Sequence, residues 1–282
     1  MILKPLIAAA CMTAFAGVPL ALAQNAAPAA PAAPAPEPGP AIGVTTEPCS
    51  GVPIEPTAAQ RASADWYGNW MHAWLSLDWG QLCRYRQENS ALPPATSHRV
   101  VFIGDSITEG WKSLDPDFFH DDVLDRGISG QTTAQMLVRM RADVLDLHPA
   151  VVQIMAGTND IAGNTGPTSL AIIQGNIASL AEQARSHGAR VIIASIPPAA
   201  RFPWSPAMQP VPAIKAMNDW LHDYAAREHF VYADYHAALD DGQGGIRPAC
   251  SEDGVHPNAA GYAAMRPVAA AAIRSALAAP RR

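Results

Sequence analysis

The chain has 282 residues, of which 49% are hydrophobic and 16% charged. This composition supplies a sizeable core and excludes disorder over most of the length, so the simplest interpretation is one globular unit preceded by a tail. A net charge of −6 provides no broad basic surface, and we therefore expect no nucleic-acid partner.

Residues 1–23 are a predicted signal peptide. Lys4 supplies a positive start, residues 6–22 are almost wholly apolar, and Ala-Leu-Ala at 21–23 has the small-x-small form of a cleavage site. The apolar run also approaches the length of a membrane span, and a weak resemblance to a lipid-attachment box ends at Cys11, so both alternatives stay open. Cleavage would place the mature protein in the periplasm or outside the cell, with no stable membrane insertion.

Residues 24–48 are dominated by alanine and proline, a composition typical of an extended spacer that buries no core. Residues 49–98 are a predicted N-terminal helical extension, because a capping-box pattern at 57–60 precedes a helical stretch. Tryptophans recur there at intervals of four residues: Trp66, Trp70 and Trp74. Such a stripe forms a sugar-binding platform or packs against a core, and the spacing favours core packing.

Three cysteines follow the predicted cleavage point: Cys49, Cys83 and Cys250. Export to an oxidising compartment favours one disulfide and leaves one thiol free. We prefer the pair Cys49–Cys83, because these residues flank the helical extension, although three pairings are arithmetically possible.

From residue 99 to residue 279 short apolar runs alternate with longer amphipathic ones. The apolar runs predict strands at residues 100–103, 123–125, 151–155, 191–195 and 230–233. The amphipathic runs predict helices at residues 133–147, 169–187, 212–228 and 258–278. This alternation predicts an α/β domain with a parallel sheet between two layers of helices. Ligands of such sheets bind beyond the carboxyl ends of the strands.

Residue types suited to serine hydrolysis stand at those strand ends and before the last helix. A serine hydroxyl needs a base to remove its proton, and the base needs a third group that fixes its tautomer. Ser106 follows the first strand, and His256 with Asp253 precedes the last helix at a spacing that lets the carboxylate reach the imidazole. The backbone N–H groups of Ser106 and Gly130 and the side-chain amide of Asn159 supply candidate donors for an oxyanion.

In chain order Gly104-Asp-Ser-Ile107, Gly130, Asn159 and Asp253-x-x-His256 resemble the four blocks of the SGNH hydrolases, also called GDSL esterases and lipases. The resemblance extends from Val100 to about residue 273. It implies a three-layer α/β/α sandwich similar to flavodoxin.

The same resemblance implies roles for the residues of these blocks. Ser106 would be the nucleophile, His256 the base oriented by Asp253, and Ser106, Gly130 and Asn159 the oxyanion hole. Residues 157–167 further resemble the branch that contains the platelet-activating-factor acetylhydrolase catalytic subunit and bacterial carbohydrate acetylesterases. No nucleotide-binding glycine pattern and no metal-ligand spacing of histidines occurs, so we expect neither a cofactor nor a metal.

Substrate identity is less constrained by the sequence. Trp111, Phe202 and Trp204 are candidate walls of an acyl or sugar pocket, or equally partly buried loop anchors. We expect an exported serine esterase that acts on small-molecule or polysaccharide acyl esters, with short acyl groups and acetylated carbohydrate preferred. The alternatives are a lipase or lysophospholipase, acyl transfer to another acceptor, and a non-catalytic sugar- or wall-binding module.

Overall fold

The computed structural model describes residues 48–50, 52, 58–62, 66–120 and 122–280. The predicted signal peptide, and the predicted spacer as far as residue 47, lie outside the described residues. Of the helices that the structure describes, none combines the length and apolarity that a membrane crossing requires.

Strands and helices alternate along most of the described chain. The strands are β1 (Val100–Gly104), β2 (Val123–Gly127), β3 (Val151–Met155), β4 (Arg190–Ala194) and β5 (Val231–Ala233). The helices are α1 (Ala58–Arg61), α2 (Trp66–Leu77), α3 (Arg86–Ser90), α4 (Ser106–Leu114), α5 (Thr133–Asp143), α6 (Thr158–Ile161), α7 (Leu170–Ser186), α8 (Pro210–Glu228), α9 (Tyr235–Leu239) and α10 (Ala259–Ala278). Short 3₁₀ turns occupy Leu145–Leu147 and Pro248–Cys250.

The five strands form one parallel sheet in the order β2-β1-β3-β4-β5. The chain therefore proceeds from β1 to one side for β2 and then returns to the other side for β3. This reversal opens a crevice beyond the carboxyl ends of β1 and β3, where ligands of open α/β sheets bind. The residues that follow these two strands are thereby placed next to each other.

Side chains of alternate strand residues enter two separate cores. One face of β1 carries Val101 and Ile103 into a core shared with α5, α7 and α8. The other face carries Val100 and Phe102 into a core shared with α4, α9 and α10. Burial on both faces explains why the strands are continuous apolar runs. The predicted three-layer α/β/α architecture is confirmed.

The N-terminal helical segment is tied to the domain by its own small core. Trp74 is buried and packs with Tyr85 and Ile128, as the core-packing interpretation of the tryptophan stripe expects for that residue. The side chains of Trp66 and Trp70 lie outside the described residues. The predicted disulfide Cys49–Cys83 is confirmed, and Cys250 is a buried free thiol.

The structure adds a helix that periodicity did not predict. Helix α4 contains mostly polar residues and buries only Ile107, Thr108 and Trp111. The long helix predicted from residue 133 to residue 147 ends at Asp143 and continues as a 3₁₀ turn. Other predicted boundaries differ by one or two residues, as is usual at helix and strand ends.

Candidate active site

Ser106 is the first residue of α4, directly beyond the end of β1. The preceding Asp105 caps the helix, because its carboxylate accepts a hydrogen bond of 3.0 Å from the Ile107 N–H. Burial raises the pKa of this fully enclosed carboxyl to about 6. A Cβ atom at Gly104 would lie 2.0 Å from Thr108 Oγ1, so the glycine allows the first turn of α4 to pack closely against the end of β1.

His256 lies between Ser106 and Asp253. Its Nε2 is 2.9 Å from Ser106 Oγ, and its Nδ1 is 2.6 Å from Asp253 Oδ2. Burial alone would raise the pKa of Asp253, but hydrogen bonds from the His256 side chain and backbone outweigh it and lower the pKa to about 2. The ionised carboxylate can only accept, so Nδ1 carries the proton and Nε2 is free to accept one from Ser106.

The loop that carries this pair is held by its own short contacts. Asp253 Oδ1 accepts hydrogen bonds from the backbone N–H groups of Val255 and His256, at 2.9 and 2.8 Å. Ser251 Oγ lies 2.7 Å from the carbonyl oxygen of His256 and accepts from the Gly254 N–H at 3.0 Å. The imidazole is therefore oriented by residues within a few positions of itself.

Asn159 reaches the same crevice from the adjacent strand, because α6 follows β3. The side chain is buried, and its Nδ2 donates one hydrogen bond of 3.1 Å to the carbonyl of Gln131. Its Oδ1 accepts a hydrogen bond of 2.8 Å from Asn164 Nδ2. An amide nitrogen carries two hydrogens, so one donor of Asn159 remains for a ligand.

Trp204 fixes which way these two amides point. The indole nitrogen of Trp204 can only donate, and it donates to Asn164 Oδ1 at 3.1 Å. Asn164 must therefore present Nδ2 to Asn159, and Asn159 must accept through Oδ1. This relay from Trp204 through Asn164 turns the amide nitrogen of Asn159 toward the site.

Gly130 lies in the loop after β2, and Glu109 of α4 holds that loop. The carboxylate of Glu109 accepts from the Ser129 N–H at 2.8 Å and from the Ser129 hydroxyl at 2.5 Å. Its other oxygen accepts from Arg84 at 3.1 Å. Gly130 has a φ of +78°, a left-handed conformation that favours glycine.

The nucleophile, the base and the candidate oxyanion donors border one cavity of about 480 Å³, here called the site cavity. The predicted residues Ser106, Gly130, Asn159, Trp204 and His256 line it. Further lining residues, which the sequence did not single out, are Leu75, Gln81, Ser129, Gln135, Asn164 and Thr165. A larger cavity of about 900 Å³ beside β5 contains none of the predicted site residues.

The prediction that Trp111 and Phe202 line the substrate pocket is wrong for this cavity. Trp111 is fully buried, stacked between Phe118 and Tyr262 with ring centroids 5.3 and 5.4 Å away. Phe202 is also fully buried and stacks on Trp204. Both residues belong to the buried core, which is deeper than the partly buried loop position that was the alternative prediction. Trp204 is 44% exposed, lines the cavity, and lies 5.9 Å from the His256 ring.

The sequence profile of the GDSL-like lipase and acylhydrolase family matches residues 102–264. The chain belongs to this family. It is accordingly a GDSL-type carboxylic ester hydrolase, and the predicted resemblance is confirmed. The family match begins after α2 and α3, so the N-terminal helical segment lies outside the matched part of the GDSL hydrolase.

Individual relatives agree with this placement. Esterase TesA of Pseudomonas aeruginosa is 30% identical over 178 residues, which cover 58% of this chain and 81% of that protein. The structure of a GDSL-like lipase from Bacteroides thetaiotaomicron is 41% identical with a TM-score of 0.69, covering 71% of this chain and 100% of its own. A Bacteroides fragilis protein assigned as an acylhydrolase is 42% identical with a TM-score of 0.69, covering 71% and 99%.

Proposed function

We propose that this GDSL hydrolase is an exported serine esterase that cleaves short acyl esters through an acyl-enzyme at Ser106. The observation that carries the proposal is the continuous chain of contacts from Ser106 Oγ to His256 Nε2 at 2.9 Å and from His256 Nδ1 to Asp253 Oδ2 at 2.6 Å. This is the arrangement that activates a serine hydroxyl as a nucleophile.

The first half of the reaction forms the acyl-enzyme. Ser106 Oγ attacks the ester carbonyl while its proton passes to His256 Nε2, and the carbonyl oxygen becomes an oxyanion. The N–H of Ser106, first in α4 and without an intrahelical acceptor, the N–H of Gly130, and the free donor of Asn159 stabilise that oxyanion. The imidazolium then gives its proton to the leaving alcohol as the C–O bond breaks.

The second half repeats these steps with water. His256 removes a proton from water, the hydroxide attacks the acyl carbon, and the tetrahedral species collapses with return of the proton to Ser106 Oγ. The carboxylic acid leaves and the free enzyme is restored. Asp253 remains ionised throughout, because its pKa near 2 lies far below neutral pH.

We propose acetylated carbohydrate as the natural substrate class. Polar side chains such as Gln81, Gln135 and Asn164 border the site cavity beside the half-exposed indole of Trp204, a mixture suited to sugar rings. A series of aryl esters of increasing acyl length tests this choice, since each buried methylene adds about 0.8 kcal/mol. A maximum at acetyl supports deacetylation, whereas a maximum at eight or more carbons would indicate a lipase.

Export is supported by the sequence pattern of residues 1–23 and by the Cys49–Cys83 disulfide, since disulfides persist in oxidising compartments. The binding-module alternative loses part of its basis, because Trp74 is buried and offers no platform to a sugar.

The decisive experiment is hydrolysis of para-nitrophenyl acetate by the purified protein and by the Ser106→Ala variant. We expect the variant to retain less than about a thousandth of the wild-type kcat. Wild-type activity no greater than that of Ser106→Ala would overturn the proposed function.

A further inference from the structure

Gln81 is a buried polar residue on the wall of the site cavity. It belongs to the loop between α2 and α3, which precedes the residues matched by the family profile. The side chain is fully buried, yet the residue borders the same cavity as Ser106, Gly130 and Asn159. Part of the wall of the site cavity is therefore supplied by the N-terminal helical segment, through Leu75 and Gln81.

The orientation of the Gln81 amide is fixed by a chain that starts at Arg139. The guanidinium of Arg139 can only donate, and its Nε donates to Gln131 Oε1 at 2.5 Å. Gln131 must therefore present Nε2 to Gln81, and it donates to Gln81 Oε1 at 2.8 Å. The oxygen of the Gln81 amide thus already accepts a hydrogen bond, and only the amide nitrogen is left to bind another group.

That nitrogen has no hydrogen-bond partner among the residues that the structure describes. A buried N–H group without an acceptor destabilises the fold, so such groups are rare unless a ligand or water satisfies them. The backbone of Gln81 is fully used, since its N–H donates to Asp78 and its carbonyl accepts from Arg84. The unmet donor is therefore confined to the side chain.

The loop that holds Gln81 is braced at several points. The carboxylate of Asp78 accepts from the N–H groups of Leu82 and Cys83, at 2.9 and 2.8 Å. The Cys49–Cys83 disulfide ties the loop to the start of the segment, and the carbonyl of Trp79 accepts from Gln135 at 2.9 Å. Gln81 itself has a φ of +56°, a conformation that a non-glycine residue adopts only when its surroundings require it.

We infer that Gln81 is a substrate-binding residue whose amide nitrogen donates a hydrogen bond to an acceptor oxygen of the bound ester, and so favours oxygen-rich alcohol portions such as sugars. The fixed orientation allows only donation, which selects for ring, ether or hydroxyl oxygens. This inference rests on the proposed function and names the recognition element that discriminates among esters.

The test compares two acetyl esters of matched ring size, a mono-acetylated methyl pyranoside and cyclohexyl acetate. Wild type is expected to prefer the pyranoside in kcat/KM. Gln81→Met, which keeps the length and the backbone of the residue but lacks the donor, is expected to lower the pyranoside to cyclohexyl ratio about tenfold. Gln81→Glu, which keeps the acceptor for Gln131 and replaces the donor with a carboxylate oxygen, is expected to lower it further.

Gln183→Met is the matched control. Gln183 lies on α7, outside the site cavity, and its amide nitrogen donates to the Ser179 carbonyl at 3.2 Å. The same exchange of an amide for a thioether there is expected to leave the ester ratio within about twofold.

An unchanged ratio in both Gln81 variants, or an equal fall for both esters, would overturn the inference. A wild type that hydrolyses cyclohexyl acetate at least as well as the pyranoside would overturn it as well. Hydrolysis of para-nitrophenyl acetate that depends on Ser106 reports separately on the proposed function, so failure of one is distinguishable from failure of the other.

Discussion

The acid–base side of Ser106 and its oxyanion side are constructed differently. His256 and Asp253 contact each other within a single loop, and their side chains are 38% and 42% exposed. Asn159 is buried, and its orientation depends on Asn164 and, through it, on Trp204. Local contacts thus position the base, whereas contacts between distant parts of the chain position the amide donor.

This difference predicts how each side responds to substitution. The acid–base pair is local, and an asparagine at 253 can still accept the backbone hydrogen bonds of its loop, so such a substitution acts through the chemistry of the changed group. The relay from Trp204 through Asn164 to Asn159 fails stepwise, because each group determines the orientation of the next. Substitutions on the acid–base side should therefore have the larger catalytic effects, and those along the relay should have effects that diminish with distance from the substrate.

The largest effect is expected for Asp253→Asn. The substituted amide no longer fixes the proton on Nδ1 of His256, so kcat toward para-nitrophenyl acetate should fall about 10,000-fold. Asp241→Asn is the control: it replaces an exposed carboxylate that accepts hydrogen bonds from the Gln243 and Gly245 N–H groups of its own loop, and it should leave kcat within about twofold. A loss of less than tenfold in Asp253→Asn would mean that the carboxylate does not orient the base.

Asn159→Ala comes next. Removal of one oxyanion donor typically lowers kcat about 100- to 1000-fold, with a much smaller change in KM because the donor acts on the transition state. Asn176→Ala is a matched control, since its amide donates to Thr133 away from the site cavity. If Asn159→Ala raised KM and spared kcat, the residue would bind substrate without stabilising the oxyanion.

Trp204→Phe tests the relay one step further away. Phenylalanine preserves an aromatic ring beside Phe202 but removes the donor that orients Asn164. Asn164 can then rotate and present its oxygen to Asn159, so kcat should fall about tenfold. Trp220→Phe, on a ring stacked against Tyr224 outside the site cavity, is the control. An increase in KM alone would mean that Trp204 only lines the cavity and does not orient Asn159.

The difference between local and long-range contacts also explains which parts of the fold the sequence predicted. Strands buried on both faces are continuous apolar runs, and the alternation of strands and helices leaves few topologies. Helix α4, which connects β1 to β2, escaped prediction because it buries only Ile107, Thr108 and Trp111 and so has little apolar periodicity. The spacing of Ile107 and Trp111, one helical turn apart, was the available sign that Trp111 faces the core.

The site residues that the sequence predicted lie in short motifs that can be recognised without knowledge of the fold. Gln81, Glu109 and Asn164 were missed, because a glutamine, a glutamate and an asparagine have no distinguishing pattern of their own. Their partners lie 50, 20 and 34 residues away, at Gln131, Ser129 and Gly130. Only the folded sheet brings them together, so their roles depend on tertiary structure.

The smallest expected effect is that of Asp253→Asn on the free energy of unfolding. It separates the catalytic role of Asp253 from its contribution to stability. The pKa of Asp253 is lowered to about 2 in the folded protein, so its carboxylate stabilises the fold above the unfolded pKa of about 3.9, and this contribution is lost as pH falls through about 2. Because 42% of the side chain is exposed, solvent screens the interaction, and Asp253→Asn should lower the free energy of unfolding by less than about 1 kcal/mol at pH 7.

Urea unfolding of wild type and Asp253→Asn at pH 7 and at about pH 3 measures this contribution. The difference between the two proteins should shrink at the lower pH, where the unfolded wild type already binds the proton that its folded state still excludes. A loss above about 3 kcal/mol at neutral pH would show that the loop needs the charged carboxylate of Asp253 to keep its folded conformation. The fall in kcat would then reflect a displaced His256. The difference between a base positioned by local contacts and an amide donor positioned by long-range contacts would no longer hold.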